Sequence, residues 1–197
     1  MRIAVAILAL IWCGFALADT SRIDRTFTAK GNVTGDEVPE ILTIHITGTS
    51  LEAPFNWTVT IADVNGKTIY TVDRDDSWMD KFFRDKGYVI GCSDYASCKE
   101  RYYFHDIPNA VFASIKPSRT AWSLDEFKML NLRDTVSAYL TQHGASTETI
   151  SAAIVEMRTI LQKPGFHTLE VPVSAVKSSA PMIWVPSVKA FVPYYQE

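Results

Sequence analysis

The most chemically suggestive stretch of the chain is Gly31-Asn32-Val33-Thr34-Gly35-Asp36-Glu37-Val38-Pro39-Glu40. Taken every second residue, Asn32, Thr34 and Asp36 offer side-chain oxygens, Val38 a backbone carbonyl and Glu40 a carboxylate. That spacing lets one tight loop surround a hard cation such as calcium with oxygen. A second candidate is His105-Asp106, an imidazole beside a carboxylate, which together with Asp76 from the acidic run 73–80 would make a general acid/base site. Each has a structural alternative. Acids ahead of Trp78 also suit a helix N-terminus, and His105-Asp106 ahead of Pro108 suits a turn with Asp106 starting the next helix. No nucleophile elbow, His-Glu-x-x-His pair or glycine-rich phosphate loop is present, and the four histidines are dispersed without zinc-type spacing.

The 31–40 loop resembles the Asp-x-x-Gly-Asp-Gly-x-Pro-Glu loops of FG-GAP and VCBS-type secreted proteins. The resemblance covers this loop and the strands that follow, about forty residues, and implies a calcium-binding turn leading directly into a β-strand. Two positions depart from the pattern: Asn32 stands in place of the first Asp, and Glu37 in place of the Gly that permits the sharp turn. Only Asp36 and Glu40 remain as charged ligands, which implies weak calcium affinity.

The elements that must position these residues are partly legible. Leu42, Ile44 and Ile46 alternate with Thr43, His45 and Thr47, and Phe55, Trp57, Val59 and Ile61 with Asn56, Thr58 and Thr60, so two half-buried strands are expected. Asn65-Gly66 predicts a type I′ hairpin turn into a third strand, giving an antiparallel meander over residues 41–73. Asp94 is a candidate cap for a helix through Cys98 and Arg101 to Phe104, with a strand through Tyr102 and Tyr103 as the alternative. Ser123 to Glu126 has a capping-box pattern ahead of Met129, Leu132, Val136, Tyr139 and Leu140, a helical stripe ending near Gly144. Ile150, Ile154, Met157 and Leu161 form a second stripe from Thr147 that stops at Pro164-Gly165. Three residues between the stripes predict an antiparallel helical hairpin. Beyond it, residues 166–171 and 182–195 read as extended segments, kept to sheet edges by Pro172, Pro181, Pro186 and Pro193. The expected architecture is a single α+β domain over residues 19–197, a meander packed on several helices.

Composition bounds what this domain does. The chain has 197 residues, 47% of them hydrophobic and 21% charged, and a formal net charge of -3, so it has no general attraction for nucleic acid. Residues 1–18 combine Arg2, an apolar run from Ile3 to Leu17 and an Ala-Leu-Ala end. They read as a signal peptide cleaved after Ala18, too short to be a stable membrane anchor. Export implies a periplasmic or secreted protein and leaves Cys92 and Cys98, whose spacing suits a disulfide worth about 2 kcal/mol. The terminal stretch carrying Trp184, Phe191, Tyr194 and Tyr195 is apolar enough either to complete the core or to bind a protein partner. These features point to an exported non-catalytic binding protein, such as an inhibitor or immunity protein acting on an exported enzyme in the envelope. The alternative is a calcium-assisted hydrolase of an envelope or extracellular polymer.

Overall fold

A computed structural model describes residues 22–75, 92–113, 115, 117, 121–123, 125, 131–171 and 180–194. Its centre is a four-stranded antiparallel sheet in the order β1-β2-β3-β4, formed by Ile23–Gly31, Glu40–Gly48, Asn56–Ala62 and Thr68–Asp75. The period-two pattern does what alternation requires. Leu42, Ile44, Ile46, Val59 and Ile61 are fully buried on one face, while the other face carries Thr28, Thr43, Thr60 and Thr71 in register across all four strands.

The meander therefore has one more strand than expected, and it starts earlier. β1 pairs along its whole length with β2, from Ile23 opposite Gly48 to Gly31 opposite Glu40, so the 31–40 segment is the loop of a hairpin. The Asn65-Gly66 turn also differs from type I′, because only Gly66 has positive φ. Asp63 holds this turn by accepting hydrogen bonds at Oδ1 from the backbone N–H groups of Asn65 and Lys67, both at 2.9 Å. Asp73 and Asp75 belong to β4; Asp76 and the rest of the acidic run, where a helix start was expected, lie outside the described residues.

One helical run packs on the buried sheet face. It comprises α1 (Tyr95–Arg101), a π-helical turn (Tyr102–Asp106) and α2 (Ile107–Ala113). Asp94 caps it reciprocally with Ser97, and the hydrogen bonds from Ser97 hold the exposed Asp94 carboxyl below its ordinary range. Pro108 does not break the run, as a turn before it would. The wider turn, with Ile107 N–H donating to the Tyr102 carbonyl, lets the chain pass a residue that has no N–H and whose ring crowds the preceding turn. Cys92 and Cys98 are bridged, with Cα atoms 5.1 Å apart, which ties the approach of the chain to the first turns of α1.

The expected helical hairpin is present as α3 (Leu132–Gln142) and α4 (Thr147–Leu161), joined through Gly144 at positive φ. Ser146 caps α4 by accepting from Thr149 N–H at 3.2 Å. The stripe expected from Ser123 is interrupted: Asn131 adopts a left-handed conformation, φ 49°, and α3 begins after it, while Met129 lies outside the described residues.

Two apolar cores result. One lies between the sheet and the α1–α2 run; the other lies among α3, α4 and Phe166. Between them stands a second, two-stranded sheet, β5 (Met182–Val185) with β6 (Ala190–Pro193). Met182, Trp184 and Phe191 face the first core; Ile183, Val185 and Val192 face the second. Tyr70 of β4 meets Phe191 edge-on at 5.4 Å, which fastens the large sheet to the small one.

Burial pushes the Tyr70 phenol from its ordinary 10 up to about 12. The unfolded chain therefore loses this proton first. The Tyr70 contribution to stability should be complete below about pH 10 and lost as pH rises through about 12. Urea-unfolding midpoints measured across that range should fall less steeply for Tyr70→Phe than for the parent protein; identical slopes would contradict this assignment.

Candidate functional site

A cleft of about 600 Å3 opens where three parts of the fold converge. One wall is the β1–β2 loop, with Asn32, Thr34, Asp36 and Glu37; the other is the end of α4 and the turn after it, from Ile160 to His167. Trp184 and Pro186, from the end of β5, complete the lining. The volume lies within the range of clefts that take small ligands or single segments of a partner.

The loop wall is built by its own polar side chains. The buried Glu40 carboxylate accepts from Val33 N–H at 2.7 Å, Thr34 N–H at 3.4 Å and the Thr34 hydroxyl at 2.6 Å. Asn32 Oδ1 accepts from Gly35 N–H at 2.7 Å, and Asp36 Oδ1 from Val38 N–H at 3.0 Å. The residues expected to surround calcium thus hold the loop against itself. Among the described residues, no group of three or more His, Cys, Asp or Glu side chains is placed to hold a metal ion. Glu37 has φ 69°, the left-handed conformation that explains a glycine at this position in the loops it resembles. A glutamate there carries a backbone cost of about 1 kcal/mol.

The opposite wall follows from the helix stop. Pro164 and Gly165, the latter at φ 85°, turn the chain sharply after α4 and bring Lys163 and Phe166 to the cleft. His167 also lines it, with Nδ1 buried and without a hydrogen-bond partner among the described residues. Sequence reasoning treated Pro164-Gly165 as punctuation only, so Lys163, Phe166 and His167 were missed as site residues.

The other candidates are placed elsewhere. His105 and Asp106 do meet, with Nδ1 3.0 Å from Oδ1, and the Asn109 amide lies 3.3 Å from the ring. They stand on the π-helical turn with the His105 side chain about 69% exposed, and neither lines the cleft. Of the terminal aromatics, Phe191 and Tyr194 are buried in the two cores and unavailable to a partner in the folded chain. Trp184 is half-buried and reaches the cleft; Tyr195 lies outside the described residues.

Compared with family models, curated proteins and solved structures, the chain has no significant match. The likeness of the 31–40 loop to FG-GAP and VCBS-type loops rests on its residues alone.

Two outcomes follow from the loop geometry. Calcium would have to displace the internal hydrogen bonds of Glu40, so the unfolding midpoint should be the same in millimolar calcium as in EDTA. A rise in calcium would show that the loop rearranges to take the ion. Glu37→Gly should relieve the left-handed strain and stabilise the fold by about 1 kcal/mol in chemical denaturation.

Proposed function

We propose that the protein is an exported binding protein that holds a segment of a partner protein in the cleft between the β1–β2 loop, the end of α4 and Trp184. The observation that carries this reading is the cleft itself. It combines an aromatic side chain with polar and charged rims, and it is walled by three elements that the two cores fix in place. Such sites fit segments whose apolar part is buried while polar groups set the orientation. The leader-like residues 1–18 support export, and among the described residues no helix is long and apolar enough to cross a membrane.

The test is affinity capture of the tagged protein from its native envelope extract. We expect one stoichiometric protein on the parent chain. It should be lost both from Trp184→Ala, with circular dichroism as the check on folding, and from Lys163→Trp, which overhangs the cleft from an exposed position. Equal capture by all three chains, or recovery of the parent chain alone, would overturn the reading.

A further inference from the structure

The lining of the cleft has a polarity that selects among partner segments. Asp36 and Glu37 put two adjacent carboxylates on one rim. Across from them Ile160 and Lys163 bracket the last residues of α4, a fifteen-residue helix whose C-terminal end carries partial negative charge. Among the described residues, the only lysine or arginine in the lining is Lys163. The Trp184 indole is held edge-on against Phe191, with ring centroids 5.2 Å apart and planes at 60°, so its direction is set before any partner arrives. An indole and two carboxylates lining one cleft favour a cation, which gains from a ring face and from acids.

Glu37 adds a separate argument. Its backbone sits in the left-handed region at a cost that a glycine would avoid, and among the described residues its carboxylate has no hydrogen bond or ion pair. Nothing within the described fold repays that cost. A strained residue with an uncommitted charge on the rim of a cleft has the pattern of a recognition group.

From this geometry we infer that the cleft receives a basic side chain, arginine or lysine, from the partner protein. Its charged head lies toward Asp36 and Glu37, and its aliphatic stem packs along Trp184. The volume leaves room for the residue next to it in the partner's sequence. This inference rests on the binding-protein reading and gives it a ligand chemistry.

The test uses the purified, nitrogen-15-labelled protein and two acetylated, amidated tetrapeptides: glycine-arginine-phenylalanine-glycine, and the same peptide with glutamate replacing arginine. The arginine peptide should shift the Trp184 indole and the Gly35 and Gly165 amides saturably, and the glutamate peptide should not. Glu37→Gln should weaken binding of the arginine peptide about two- to fivefold, and Lys163→Gln should strengthen it by a similar factor. Both positions are exposed, so neither change threatens the fold. Equal response to the two peptides, no response to either, or a shift in the same direction for both variants would overturn the inference. A captured partner that depends on Trp184 but is indifferent to Glu37→Gln and Lys163→Gln would also overturn it, while leaving the binding-protein reading standing. Absence of both partner and peptide binding would overturn the two together.

Discussion

The structure depends on a hairpin that is buried on both sides. In most antiparallel sheets one face meets the core and the other meets water, and a strand needs only alternate apolar residues. Here Ile183 pairs with Val192 toward the helices while Trp184 pairs with Phe191 toward the large sheet, so consecutive residues serve different cores. A slip of one residue would exchange the two sets and misfit both. The cleft inherits this constraint. Its Trp184 comes from the hairpin, its acidic rim from the large sheet and its turn from the helical pair, so its shape is fixed only when the hairpin is in register.

Two polar groups do for the loops what the hairpin does for the layers. Glu40 is buried and gathers three donors from the β1–β2 loop, making a rigid wall of what would otherwise be a long surface connection. Lys99 is fully buried, an uncommon place for a lysine. Its ammonium donates to the Ala53 carbonyl, lies 3.4 Å from the Tyr95 hydroxyl and sits 4.4 Å from the centre of the Phe55 ring. It pins the β2–β3 connection onto α1. Preformed loops lose less entropy when they bind, which matters for a surface whose charges are worth little individually.

Where one side of an element meets core and the other meets solvent, its pattern was plain in the sequence, as in β2, β3 and α4. β1 was missed because it is an edge strand whose inward positions include Arg25, Ala29 and Gly31, too weak an alternation to stand out. The terminal aromatics were ambiguous for the opposite reason: a strand buried on both faces has no alternation at all, so it reads the same as a sticky surface. The 31–40 loop was recognised as special by its residue types. Those types are equally suited to binding an ion and to tying a loop with its own N–H groups, and spacing alone does not separate the two. The cleft was illegible because its halves are more than a hundred residues apart in sequence.

The position of the hairpin in the chain also has a consequence for the order of assembly. The strands that wall both cores are the last elements described, after the large sheet and all the helices. A chain appearing N-terminus first can cover part of the Leu42, Ile44 and Val59 face with the α1–α2 run and pair Val136 with Met157 between α3 and α4, but each core lacks one side until residues 182–193 arrive. The hairpin then completes both cores together, because its alternate residues belong to each.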